Sequence, residues 1–134
     1  MLSILVGVND VDALLKGASD DLDASAFAAE YGVLLERTRT ALPGVLLVLG
    51  EPFYLPTSPD PSRHRDWGAA VTRRAAIVRD LAGAFDAVFV PNQAAFDAAV
   101  LRAPAEHWIW DGIHPTYAGQ RVLADAWISA ISSA

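Results

Sequence analysis

The residues best equipped for chemistry lie near the end of the sequence, in Trp108-Ile109-Trp110-Asp111-Gly112-Ile113-His114-Pro115. An acid and an imidazole stand three positions apart. On a loop, Asp111 can turn back and accept a hydrogen bond from a ring N–H of His114, which fixes the tautomer and leaves the other ring nitrogen as a base. Gly112 makes the tight turn sterically easy. Pro115 biases His114 away from helical dihedrals, so the imidazole belongs at the end of a loop rather than inside the helix that follows. The same spacing also fits a plain surface ion pair, and the four residues alone do not separate the two readings. His107, Asp111 and His114 are legitimate zinc donors, but their spacing shares no helical face and Pro115 argues for a loop, so no metal is expected. A second polar stretch, Gly7-Val8-Asn9-Asp10, follows an apolar run; by itself it reads as a turn after a strand.

These residues need elements to carry them. Leu2 to Val6 ends in Gly7, Val45 to Leu49 is closed by Gly50, and Asp86 to Val90 is closed by Pro91. Short, nearly continuous apolar runs of this kind are strands covered on both faces of a parallel sheet. Helical patterns separate them. Phe27, Tyr31, Leu34, Leu35 and Leu42 share a face after a candidate cap at Ser25, and Pro43-Gly44 stops that helix. Trp67, Val71, Val78, Leu81 and Phe85 mark a second helix over roughly 66 to 83. Asn92 can cap a short third helix through Phe96 and Val100. Thr116 caps the last helix, which buries Val122, Leu123, Ala126, Trp127 and Ile131. Alternating strands and helices give right-handed β-α-β units, and the fold class is a three-layer α/β/α sandwich with a parallel sheet.

In such a sheet, functional groups gather beyond the carboxyl ends of the strands. The segments there are Gly7 to Asp12, Gly50 to Arg65, and Pro91 onward. The stretch Glu51 to Pro61 holds four prolines and two aromatics, and reads either as a stiff apolar flap or as an ordinary connection. Glu51 is expected to be a structural hydrogen-bonding group. Asp20-Asp21-Leu22-Asp23 lacks the ligand spacing and glycine of a calcium loop and reads as a solvated acidic turn. His64, amid Arg63, Arg65 and Asp66, reads as solvated, and His107 as a rim residue.

Composition narrows the partners. The chain has 134 residues, 53% hydrophobic and 19% charged, which suits one compact domain spanning 1–134. A formal net charge of -6 leaves no basic stripe to neutralise phosphates, so neither nucleic acid nor an anionic membrane is an expected partner. Zero cysteines exclude disulfides and thiolate metal sites. Leu2 to Val8 is too short and too quickly followed by Asn9-Asp10 to be a signal peptide or a membrane span. Cytoplasm is the default compartment.

Strand, then Gly7-Val8-Asn9-Asp10, and at the far end Asp111-Gly112-Ile113-His114-Pro115: in this order the sequence resembles the SGNH (GDSL-type) hydrolases. Their third block is G-x-N-D after a central strand, and their last is D-x-x-H before the final helix. Val48-Leu49-Gly50-Glu51-Pro52-Phe53-Tyr54 and Trp110 to Gly119 resemble the branch containing acetylxylan and xylo-oligosaccharide acetylesterases. The resemblance covers essentially the whole chain. It implies a serine esterase of short acyl esters, acetyl on carbohydrate foremost, with no cofactor. His114 would be the general base, Asp111 the orienting acid and Asn9 an oxyanion donor, with Gly7 giving the backbone room. Trp108 and Trp110 alternate around Ile109; Trp110, beside the acid, is the one expected at the pocket, where an indole can stack on a sugar ring.

One departure matters. The family's nucleophile lies in a G-D-S block that precedes G-x-N-D, and none of Ser3, Ser19, Ser25, Ser58, Ser62, Ser129, Ser132 or Ser133 stands in that context. The expectation is therefore an N-terminally truncated SGNH domain, with its first strands lacking and inactive alone. The alternatives are a chain complemented by a separate polypeptide and a non-catalytic remnant. Either of the first two leaves strand 2–6 with a hydrophobic edge prone to self-association.

Overall fold

The computed structural model describes residues 1–57 and 60–133. The remarks above on Ser58 and Pro59 fall outside them. Three strands, β1 (Leu2–Leu5), β2 (Leu47–Gly50) and β3 (Val88–Val90), form a parallel sheet in the order β1-β2-β3. Leu2 stands opposite Leu47, and Val48 opposite both Ser3 and Val88. All three grow from the apolar runs read in the sequence. Double-sided coverage holds only for β2, which is buried at every position; β1 alternates half-buried and exposed residues. The reason is position: among the described residues β1 has a neighbour on one side only.

Among the described residues, six helices surround the sheet: α1 (Val8–Leu15), α2 (Ser25–Ala41), α3 (Pro61–Ala84), α4 (Asn92–Val100), α5 (Ala105–Trp108) and α6 (Tyr117–Ser132). On one face, Phe27, Tyr31 and Leu35 of α2 and Val78 and Ala82 of α3 pack on Leu47 and Leu49 of β2. On the other lie α4, α5 and α6, whose Phe96, Ala99, Trp108 and Val122 enclose Phe53, Leu55 and Ile109. Each fully buried side chain of this size contributes about 1.5–3 kcal/mol, so these two cores outweigh any single polar contact. The result is the expected three-layer α/β/α sandwich.

Several helix starts differ from expectation. α2 is not capped by Ser25: Ala24 turns with φ +61 and Asp21 reaches forward, its carboxylate accepting from the backbone N–H groups of Ala26 at 3.0 Å and Phe27 at 3.1 Å. Asp21 also lies 3.8 Å from the guanidinium of the fully buried Arg74. The acidic turn is thus a structural anchor rather than merely solvated. α3 begins five residues before the expected start, where Asp60 accepts from Ser62 N–H at 2.9 Å and Pro61 occupies the first turn; an Asp cap followed by proline is a strong start signal. Asn92 does not cap α4 with its side chain, which is buried and donates to the Glu51 carbonyl at 2.9 Å. Thr116 does cap α6, accepting from Gly119 N–H at 3.1 Å. α1 and α5 were not anticipated, being short and without side-chain caps.

Candidate active site

Residues 109–116 leave α5 and return to α6 as a closed loop. Its two ends are tied together: Trp110 N–H donates to the His114 carbonyl at 2.9 Å, and Thr116 N–H to the Trp108 carbonyl at 2.9 Å. The Thr116 hydroxyl also donates to the His107 carbonyl at 2.7 Å. Gly119, in the first turn of α6, faces the Trp108 carbonyl so closely that a Cβ would collide with it. Inside this frame Asp111 turns back as the sequence predicts. Its Oδ1 accepts from the backbone N–H groups of Ile113 at 3.2 Å and His114 at 3.0 Å, and its Oδ2 lies 2.8 Å from His114 Nδ1. Gly112 takes φ +105 at the apex, a conformation that favours glycine.

The tautomer follows from this contact. A carboxylate beside Nδ1 requires the proton there, which leaves Nε2 as the unprotonated nitrogen of the neutral ring. Both side chains are exposed, His114 at 67% and Asp111 at 51%. Partial burial of Asp111 acts to raise its pKa. The hydrogen bonds from the His114 ring and from the His114 and Ile113 N–H groups outweigh it and hold the carboxyl below the usual range. The pair is therefore an ionised acid gripping an imidazole at the surface.

Beneath the loop lies the segment after β2. Glu51 to Leu55 is buried throughout, a floor rather than a flap. Leu55 N–H donates to the Gly112 carbonyl at 3.0 Å. Glu51 is the structural group expected of it: its carboxylate accepts from Gln93 N–H at 3.0 Å and approaches Arg79 at 3.4 Å. Tyr54, Gln93 and Trp67 hold this floor together, a role the sequence does not show for any of them because their partners come from distant elements.

Gly7, two residues beyond β1 and just before α1, takes φ +118 and is buried against Phe27 and Pro52. Asn9 follows in the first turn of α1, exposed, so the bare reading of a turn after the strand gives way to a helix start. Val8 beside it, together with Ile113 and Pro115 on either side of His114, lines one apolar groove of about 260 Å³ that also takes in Leu5, Val6 and Phe53. The fold thus brings Val8 and Ile113, neighbours of Asn9 and His114, to one groove at the carboxyl end of the sheet, although Gly7, Asn9, Asp111 and His114 are not themselves among the residues that line it. Trp108 is buried and donates its indole N–H to the Ala103 carbonyl at 3.0 Å, whereas Trp110 is 65% exposed and does not line the groove. His64 departs from expectation: it is half-buried, with Nδ1 3.0 Å from the Tyr54 hydroxyl. His107 is exposed with its ring edge-on to Trp108.

Among the described residues no three His, Asp or Glu side chains converge as a metal site, and no helix is long and apolar enough to cross a membrane. Nor does any serine hydroxyl among them hydrogen-bond His114. Ser3, the serine on β1, accepts from the Trp127 indole at 3.0 Å.

Residues 1–122 match the model of the GDSL-like lipase/acylhydrolase family. An acetylxylan esterase of Geobacillus stearothermophilus is 28% identical over 97% of this chain and 58% of its own length. Among solved structures, a protein of Parabacteroides merdae described as a GDSL-like lipase superposes with a TM-score of 0.89 at 34% identity, covering 98% of this chain and 59% of that one. A catalytic mutant of a Geobacillus stearothermophilus acetylxylan esterase gives 0.77 at 25% identity, covering 96% and 57%. The 134 residues thus span less than two thirds of these relatives' length. With the match running through nearly all of the sequence and the fold superposing as closely as it does, the chain belongs to the GDSL-like lipase/acylhydrolase family.

Proposed function

We propose that this fold serves ester hydrolysis by acyl transfer, with Asp111 and His114 as orienting acid and general base. The observation that carries this reading is the 2.8 Å contact between Asp111 Oδ2 and His114 Nδ1, which leaves Nε2 as the base. In the reaction, Nε2 takes the proton of a serine hydroxyl as its oxygen attacks the ester carbonyl. The proton passes to the departing alcohol, and the same nitrogen then activates the water that releases the acid. The Asn9 amide donates to the oxyanion, a role whose loss typically costs about 10² to 10³ in rate.

The serine comes from a segment outside these 134 residues, N-terminal or on a separate polypeptide. Two observations support this: no described serine bonds His114, and the relatives are covered over only 58% of their length. That segment covers the free edge of β1, where Leu5 is 47% and Val6 40% exposed. A short acyl group on carbohydrate, acetyl first, is the substrate class, supported by the acetylxylan esterase relative; the exposed Trp110 indole beside Asp111 offers a sugar a stacking surface. No cofactor is invoked. The absence of a bonded serine also favours a second reading, a non-catalytic subunit that keeps the sheet and the groove rim.

An aryl acetate assay separates these. The chain alone is expected to be inactive, and the chain combined with an N-terminal G-D-S segment active in a manner abolished by His114→Ala. Hydrolysis by the chain alone that His114→Ala removes would place the nucleophile within the 134 residues. An inactive combined protein that is folded and monomeric would favour the non-catalytic subunit.

A further inference from the structure

The Asp111–His114 loop rests on a residue that belongs to neither member of the pair. Tyr54 is 7% exposed, and its ring edge lies against the backbone of Gly112: a Cβ added there would come within 2.6 Å of Tyr54 Cε2. The next residue, Leu55, donates its N–H to the Gly112 carbonyl at 3.0 Å. The apex of the loop is therefore fixed at one point by packing and at another by a hydrogen bond.

Tyr54 is itself held from several elements. Its N–H donates to Gln93 Oε1 of α4 at 2.9 Å. Its ring stacks on Trp67 of α3, with centroids 5.8 Å apart and planes inclined by 16°, and its hydroxyl lies 3.0 Å from His64 Nδ1. The same apolar cluster includes Val11 of α1, the helix that carries Asn9, and Ile113, the residue between Gly112 and His114. A flat, rigid ring at this point links the two segments that frame the groove to the long α3 helix.

We propose that Tyr54 is a positioning residue, the seat that fixes the turn at Gly112 and so brings the Asp111 carboxylate to Nδ1 of His114. The inference rests on the reading of Asp111 and His114 as acid and base. An aliphatic side chain at 54 leaves space under Gly112, and the φ +105 turn then relaxes. Tyr54→Phe keeps the seat and gives up only the hydroxyl's contacts with His64 and Arg63.

Nitrogen and carbon NMR on the 134-residue chain reads the pair without any turnover. In the unaltered chain the neutral His114 ring is expected to carry its proton on Nδ1 and the Asp111 carboxyl to titrate below the ordinary carboxylate range. Tyr54→Phe is expected to retain both signatures. Tyr54→Leu is expected to mix in the other tautomer and to move the Asp111 midpoint up toward the ordinary carboxylate range, with the Trp67 indole signal retained. A folded Tyr54→Leu that keeps both signatures overturns the proposal. Should that variant unfold, Tyr54→Met fills the space flexibly and carries the same two outcomes. In the serine-complemented protein, Tyr54→Leu is expected to lower kcat by about 10²-fold with KM nearly unchanged. Retained kcat overturns the positioning role and leaves the acid–base reading standing; an unaltered chain without the Nδ1–H signature undoes that reading instead.

Discussion

The two carboxylate oxygens of Asp111 take the two N–H groups of His114 separately, Oδ2 at 2.8 Å from ring Nδ1 and Oδ1 at 3.0 Å from the backbone nitrogen. One residue therefore fixes both where the imidazole's backbone sits and which ring nitrogen carries the proton. An incidental ion pair on an exposed surface contributes little to stability, about 0–1 kcal/mol. The value of this contact lies in geometry, and its consequences are testable.

In the serine-complemented protein, Asp111→Asn is expected to lower kcat by about 10⁴-fold, because an amide can stabilise the wrong tautomer. His114→Ala is expected to abolish turnover. Since His114 is 67% exposed, its replacement should shift folding stability by no more than about 0.5 kcal/mol. Urea titrations run alongside the assay check this, and a large stability loss would mark the pair as structural.

The pH dependence has a definite sign. The hydrogen bonds from His114 and Ile113 depress the folded-state pKa of Asp111 below the ordinary carboxylate value of 3.8, so the folded state binds the proton less readily than the unfolded chain. Its stabilising contribution is present above about 3.8 and is lost as pH falls through the depressed value. Carboxyl NMR across this range should give a midpoint below 3.8, and one at or above it contradicts the observed hydrogen bonds.

Gly112→Ala meets two obstacles at once, φ +105 and the ring of Tyr54. The expected loss is about 1–3 kcal/mol, each source of strain being of that order. Chemical denaturation measures it. An unchanged midpoint would mean that the loop turns without needing glycine.

Asp21→Ala removes the cap of α2 and the carboxylate facing the buried Arg74. Leaving a fully buried guanidinium without its anion typically costs about 3–5 kcal/mol, so the thermal midpoint should fall by well over what a lost cap alone explains. A drop matching a cap alone, about 1 kcal/mol, would show that Arg74 is satisfied by its carbonyl partners, Ala70 and Asp21.

The chain by itself is expected to self-associate through the unpaired side of β1, a strand at whose end Leu5 and Val6 are exposed. Light scattering after size-exclusion chromatography should show oligomers that Val6→Lys disperses. A stable monomer of the unaltered chain contradicts this.

Much of this architecture was legible in the sequence because it depends on local signals. Apolar runs closed by Gly7, Gly50 and Pro91 marked the strands, and Thr116 marked the start of α6 correctly. Asp111-Gly112-Ile113-His114 was legible as a turn because acid, glycine and histidine act on one another within four residues. Where the cap comes from elsewhere, local signals mislead: the sequence points to Ser25 and Asn92, whereas Asp21 and Asp60 accept from the first turns of α2 and α3. Pattern reading also missed α1 and α5, each too short to repeat its apolar period.

What the sequence determined by itself is the pairing of Asp111 with His114 and the turn that joins them, since those contacts span only three residues. Only the tertiary structure decided what holds that turn in place. Tyr54 lies nearly sixty positions from Gly112, and the Leu55 N–H beside it, the Gln93 amide of α4 and the Trp67 ring of α3 all converge on this seat. Non-local packing leaves no periodicity to read. It exists only once the parallel sheet has brought the ends of its strands to one edge.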